Sequence, residues 1–457
     1  MTAEYHRCRL QNLKDADQAI GSCMRQHHIG EYLAGQVTYN LGEYPKPFSI
    51  APTEYDEALL QEFADHGVGL IQLHEEWNDS QRLMGADKFS SHDEPGLAQF
   101  IELVHSLGMK IILYASTGFF EATDPDFDPA WARPDAHLVE LWFDYARCSP
   151  ASPGWRAYLL PRLERIMDEY DIDGLYDDVG YDPPYLHESP LADDIYPGPE
   201  TPECHSAFFD LLGILSDIVH ERGGVFKVHV GGAESRGLTN DIYDYLWVGE
   251  GVEKIADLGL KTKAYDPYVV PALDMSRARL EREDDFYLHS VPYMQFPLRV
   301  DGRPVTGERA LAHNATYRRG EDCFWTRHMR AVDSYYADDP EAPPMYGWWD
   351  SCPGRADARE RWLHHFDLYR PMVAEGSHVW LEITASTIFA QRLPDEVVAS
   401  LFVNDEMYLV LANYGEIPMT LDSKWSWQNR ETGQVAQRIE LPGQALLYLQ
   451  RVEQQGP

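Results

Sequence analysis

Along the first half of the chain, apolar positions switch repeatedly between two spacings. Residues 55–66 carry apolar side chains at helical intervals, then Gly67 interrupts them and 68–73 form a short apolar run. The cycle repeats. Leu97, Ile101, Val104 and Leu107 mark one face of a helix, Gly108 ends it, and 110–114 read as a strand. Ser152-Pro153 opens a third helix over 153–170, ahead of a strand at 172–176. A fourth helix over 204–222 runs into Gly223-Gly224 and a strand at 225–230, and 243–248 is a further apolar segment. With an early strand around 33–39, and 268–273 and 345–348 as seventh and eighth, helices and strands alternate as in a (β/α)8 TIM barrel. Residues 276–341 fit no such unit. After Pro371 the texture changes to short alternating runs at 397–403, 407–412, 419–421, 438–441 and 445–449, with turns at Asn404-Asp405 and Pro442-Gly443. This predicts a C-terminal antiparallel β-sandwich. The expected organisation is a catalytic barrel over 1–372 and a sandwich domain over 373–457.

Composition narrows the function. The 457 residues are 44 % hydrophobic and 25 % charged, as in ordinary globular proteins. Lys and Arg number 38 against 75 Asp and Glu, a formal charge of −37. That argues against nucleic-acid and anionic-membrane partners, since phosphate contacts need basic side chains. Six scattered cysteines form no Cys-x-x-Cys pair, which favours reduced thiols over a disulfide or zinc framework. No signal-like start and no apolar run long enough to span a bilayer is visible, so a cytoplasmic location is expected.

In such a barrel the chemistry lies just beyond the C-terminal ends of the strands. Strand two is followed there by His74, Glu75 and Trp77, and strand four ends in Asp177 and Asp178. Strand five carries Lys227 and His229, strand six leads from Trp247 to Glu250, and the expected eighth ends at Trp348. Asp178 and Glu250 suit the two-carboxylate chemistry of glycoside cleavage, in which one group attacks and the other protonates the leaving oxygen. Side chains alternate along a strand, so only one of Asp177 and Asp178 can face the barrel mouth. Either Asp could instead cap a turn, and Glu250 could simply complement a helix dipole. Aromatic residues make up 12 % of the chain, and rings at strand ends suit the apolar faces of sugars.

These residues resemble the clan D glycoside hydrolases, barrel enzymes that include the retaining α-galactosidases. The resemblance covers roughly residues 65–255. It is carried by Phe89-Ser90, Gly96-Leu97 and the run from Val104 to Tyr114, by Asp171-Ile172-Asp173-Gly174-Leu175-Tyr176-Asp177-Asp178, and by Arg147-Cys148-Ser149-Pro150 through Gly154-Trp155-Arg156. It implies a nucleophilic Asp at the end of strand four, which is Asp178 here, and an acid/base at the end of strand six, which is Glu250. The α-galactosidases carry two Asp at the end of strand two, where this chain has His74 and Glu75. They also carry a Lys two residues before the nucleophile, where this chain has Tyr176, and an Asp as acid/base in place of Glu250. These departures leave the sugar open.

The expected activity is retaining hydrolysis of an α-linked sugar without a cofactor. His74, Glu75, Asp177, Lys227 and His229 would bind sugar hydroxyls, and Trp77, Trp247 and Trp348 would stack on the rings. A separation of roughly 5 Å between the two carboxyl groups would match retention. One alternative is a metal-dependent sugar isomerase or epimerase using Glu75, Asp178, His229 and Glu250 as ligands. Another is a barrel that binds carbohydrate without turning it over.

Overall fold

The computed structural model describes residues 2–41, 49–78, 88–121, 124–140, 143–178, 202–229, 241–248, 268–272, 282, 284–303, 356–373 and 378–452. A helix α1 (Ala3–Ala19) and a strand β1 (Ile20–Ile29) come first. The barrel strands follow: β2 (Gln36–Asn40), β3 (Leu70–Leu73), β4 (Lys110–Ser116), β8 (Gly174–Asp178), β9 (Val225–His229), β10 (Tyr245–Val248), β11 (Val269–Pro271) and β12 (Arg299–Gly302). Between them lie helices α2 (Glu54–His66), α3 (Glu94–Ser106), α4 (Pro153–Glu169), α5 (Pro202–His220) and α6 (Asp284–Ser290), with α7 (Ala356–Val373) after β12. A small antiparallel sheet of β5 (Phe119–Glu121), β6 (Ala132–Glu140) and β7 (Phe143–Cys148) is inserted between β4 and α4. Among the described residues no helix is long and apolar enough to cross a membrane, and Cys8, Cys23 and Cys148 carry free thiols.

The eight barrel strands form one curled parallel sheet in the order β11-β10-β9-β8-β4-β3-β2-β12. No continuous ladder joins its outer strands. Among the described residues they meet at a single bridge, Ala272 to Leu298, where the Leu298 N–H donates to the Pro271 carbonyl at 2.9 Å. The place beside β2 is taken by β12, within the stretch where the sequence reading finds no barrel unit. The expected strand at 345–348 lies outside the described residues. β12 escapes the sequence pattern because it is four residues long and places Arg299 and Asp301 around Val300.

Local chemistry explains the joints. Thr53 and Asp56 cap α2 reciprocally, and Gly67 ends it with φ 84°, a left-handed conformation that costs glycine nothing. A His–Asp clamp then recurs at the N-terminal ends of the strands. His105, three residues before Gly108, meets Asp173 at 2.9 Å, and the same carboxylate accepts the Ile111 N–H at 2.8 Å. His220, three residues before Gly223, meets Asp244 at 2.9 Å, and that carboxylate accepts the Phe226 N–H at 2.7 Å. Each clamp ties the end of a helix to the starts of two neighbouring strands.

Gly174 opens β8 with φ 149°, and a Cβ there would lie 2.0 Å from the Val225 carbonyl oxygen. Gly174→Ala is therefore expected to cost about 2–4 kcal/mol, combining overpacking with backbone strain. A lowered denaturation midpoint at unchanged m-value would show it.

The second sheet is antiparallel and runs β1, β13 (His378–Ser386), β14 (Val397–Val403), β15 (Met407–Asn413), β18 (Ala445–Val452), β16 (Met419–Asn429), β17 (Val435–Leu441). Residues 20–29, which the sequence reading places with the barrel, form its edge strand against β13. The run Ile20-Gly-Ser-Cys-Met-Arg-Gln-His-His-Ile29 is polar and mostly exposed, so no hydrophobic alternation marks it. Elsewhere the alternation is strict. Leu401, Val403, Met407, Leu409, Leu411 and Leu449 build a core on one face, with Ala16 and Ala19 of α1 against it. The intervening Phe402, Tyr408, Val410 and Tyr448 join the barrel's own core. Hydrogen bonds from Ser400 to the Pro292 carbonyl (2.5 Å) and from Tyr414 to the Leu288 carbonyl (2.9 Å) seal the junction.

Candidate active site

The site is built on β8, because its last two residues have opposite fates. Asp177 is 1 % exposed and accepts a hydrogen bond from Thr117 Oγ1 at 2.6 Å. Burial drives its carboxyl well above the ordinary carboxylate range, with the charge of Asp178 adding to the shift and the Thr117 bond opposing it. Thr117 is itself anchored, because its carbonyl accepts the Trp155 indole N–H at 2.9 Å. Asp177 is thus a buried carboxyl fastened to the end of β4.

Asp178 lies on the other face, with Tyr176. Tyr114 OH donates to its Oδ2 at 2.9 Å, and His229 Nδ1 lies 3.5 Å from Oδ1. Burial opposes ionisation of this carboxyl. The hydrogen bond and charge of His229, the hydroxyl of Tyr114 and the charge of His74 outweigh burial and hold its pKa below the ordinary value. The side chain keeps 21 % exposure, so the carboxylate is both ionised and reachable. Two adjacent carboxyls pushed in opposite directions have different tasks.

Beneath Asp178 the barrel interior is aromatic. The ring of Tyr176 has its centroid 4.6 Å from Trp247, 5.7 Å from Tyr114, 6.3 Å from His229 and 6.4 Å from His74. Strand register produces this grouping: Asp178 pairs with His229, Tyr176 with Lys227, and His229 with Trp247. Lys227 is wholly buried, with Nζ 5.2 Å from the Trp247 centroid and 5.9 Å from that of Tyr176. Burial pulls its pKa well below the usual lysine value.

The structure therefore gathers His74, Asp178, Lys227, His229 and Trp247 around one interior. Asp177 faces the opposite side of β8. Trp77 is wholly buried and donates its indole N–H to the Tyr114 carbonyl at 2.8 Å, with its ring against Tyr170. Both brace β4 and β8 where sugar contacts are expected from sequence. Glu75 begins a 3-10 turn, Glu75–Trp77, and its side chain lies outside the described residues, as do Glu250 and Trp348. Of the expected metal set, Asp178 and His229 are described and pair with each other; among the described residues no three His, Cys, Asp or Glu side chains are arranged to hold a metal ion.

Two residues of the site escape the sequence reading, Tyr114 and Thr117, while Tyr176 enters it only as the place of a family lysine. A signal for Tyr114 exists, since period-two alternation puts Ile112, Tyr114 and Ser116 on one face of β4.

No family model matches the chain, and no curated protein matches it. Solved structures do match. An α-amylase from Geobacillus thermoleovorans superposes with a TM-score of 0.56 at 10 % identity, covering 93 % of this chain and 99 % of that one. A maltogenic α-amylase from Thermotoga neapolitana gives 0.52 at 12 % identity, covering 92 % and 98 %. A family GH36 α-galactosidase from Geobacillus stearothermophilus gives 0.54 at 12 % identity, covering 93 % of this chain but 57 % of the galactosidase. The chain thus has the TIM-barrel-like fold of the amylase- and galactosidase-type glycoside hydrolases. The match does not single out the galactosidase-like group.

Proposed function

We propose that this chain is a retaining glycosidase acting on an α-linked sugar, in a (β/α)8 barrel of clan D type. The observation that carries the reading is Asp178: a reachable, ionised carboxylate at the C-terminal end of the fourth barrel strand, held by Tyr114 and His229. Similar folds solved with sugars or sugar mimics support it, the amylase with acarbose and a GH36 galactosidase with raffinose. An Asp178 oxygen attacks the anomeric carbon, and the bond to the leaving oxygen breaks as Glu250 protonates it. Water then cleaves the glycosyl ester, its proton going to Glu250. His74, Glu75, Lys227 and His229 bind hydroxyls, and Trp247 and Trp348 present apolar faces. Asp177 and Trp77 position the strands that carry this set. The division into units 1–372 and 373–457 stays part of the proposal, with residues 20–29 lent to the second sheet.

A panel of α- and β-aryl glycosides, followed by proton NMR, tests the reading. Turnover of an α-glycoside, unaffected by EDTA and releasing the α-anomer first, is expected. First release of the β-anomer, or loss of activity in EDTA, would overturn it.

Tyr114→Phe removes a donor to the ionised Asp178. The carboxylate pKa rises, so the acid limb of the kcat/KM profile moves to higher pH. The rate above that limb falls roughly 10- to 100-fold, the worth of a hydrogen bond to a charged group. An acid limb that stays in place would remove Tyr114 from this role.

A further inference from the structure

Among the described residues Lys227 makes no hydrogen bond, although it is wholly buried. The faces of Trp247 and Tyr176 lie beside it, and rings recover only part of the hydration that its charged form loses. Asp178 does not serve it, being held by Tyr114 and His229. Asp177 is turned away toward Thr117, and Glu76 is buried in the turn after β3. Two further interior groups, the Gln72 amide and the Thr38 hydroxyl, are likewise buried without a hydrogen bond. A barrel centre is ordinarily filled with branched apolar side chains, and this one sets Lys227, Gln72 and Thr38 among aromatic rings.

The charge pattern sharpens the point. The chain carries 75 acidic against 38 basic side chains, yet Lys227, His74 and His229 converge on this interior. A neutral sugar would offer Lys227 hydroxyls but nothing to favour its ammonium form over the amine. A carboxylate would satisfy both its donors and its charge. We propose that Lys227 is a specificity-determining residue that pairs with a carboxylate on the bound sugar, making the substrate an α-linked uronide or other sugar acid. This rests on the glycosidase reading of the Asp178 site and deepens it.

Calorimetric titration of glucuronate and galacturonate, beside glucose and galactose, tests the pairing without requiring turnover. The wild-type chain is expected to bind one of the acids about 10²-fold more tightly than its neutral counterpart, with the margin shrinking in salt. Lys227→Met is expected to erase the margin while the melting temperature holds or rises, because a buried amine without a hydrogen bond has gone. Lys227→Gln, which keeps donors but no charge, is expected to bind acid and neutral sugars alike. Equal binding of acid and neutral sugars by the wild type, or a margin that survives both substitutions, would overturn the proposal. So would a steep fall in melting temperature for both, which would make Lys227 structural. Matched α-aryl uronides and neutral glycosides separate the two readings. Hydrolysis with no preference for the acid defeats this proposal and leaves the glycosidase standing. An acid preference in binding with no hydrolysis of any glycoside defeats the glycosidase instead.

Discussion

Asp178→Gly is expected to lower kcat/KM on an activated α-aryl glycoside by about 10⁴-fold or more, the scale of losing a covalent nucleophile. Added azide is expected to restore turnover. The argument is geometric. Asp178 sits at the open end of β8 with 21 % of its side chain exposed. Trimming it to glycine leaves a cleft that a small anion can enter, with His229 and Tyr114 still lining it. Azide then attacks from the face the carboxylate used, so the product is the β-glycosyl azide, inverted once. Glu250→Ala separates the second role. It should slow substrates with poor leaving groups far more than activated ones, and azide should give the α-azide by intercepting the glycosyl ester. Full activity in a folded Asp178→Gly chain would remove Asp178 from the chemistry.

The largest effect on stability is expected at Arg303, far from that chemistry in role. Asp56 is wholly buried and accepts from Tyr39 OH at 2.5 Å, from the Thr53 N–H at 2.8 Å and from Arg303 at 2.9 Å. Arg303 also donates to the carbonyls of Leu41, Ser49, Ile50 and Ala51. One guanidinium thus ties the ends of β2 and β12 to the start of α2. Arg303→Met strands a buried carboxylate together with several carbonyls, at a cost of about 3–5 kcal/mol. The pH dependence has a definite sign. Burial opposes ionisation of Asp56, but hydrogen bonds from Arg303, Tyr39 and Thr53 outweigh it, so its folded pKa lies below the usual value. Its contribution is therefore complete above about 3.9, the unfolded value, and is lost as pH falls through the depressed folded value. The variant should lose that acid-side dependence. Denaturant melts at several pH values, comparing wild type with Arg303→Met, read both effects. Equal midpoints would show the clamp to be inert.

How much of this was legible beforehand follows from the range of each interaction. Strands β3, β4, β8 and β9 announce themselves because each is an apolar run preceded by a helix, mostly with a glycine at the junction, and β10 as a bare apolar run. β1 and β12 do not, since one is a polar edge and the other four residues long. The two His–Asp clamps join residues 68 and 24 positions apart, so no local spacing reveals them. At Asp177-Asp178 the period of the strand allows one inward carboxylate without saying which. Thr117 and Tyr114, donors from the neighbouring strand's end, decide it. Trp77 shows the limit of reading an aromatic ring at a strand end as a ligand surface, because its indole N–H was needed in the core.

The central claim is that Asp178 carries the sugar. A 5-fluoro-α-glycosyl fluoride, made from the sugar that the aryl-glycoside panel selects, would trap the glycosyl ester, and peptide mass spectrometry would locate it. One sugar per chain, esterified to Asp178 and absent from Asp178→Asn, is the predicted result. A label on another carboxylate, or rapid hydrolysis of the substrate with first release of the inverted anomer and no adduct, would contradict the account.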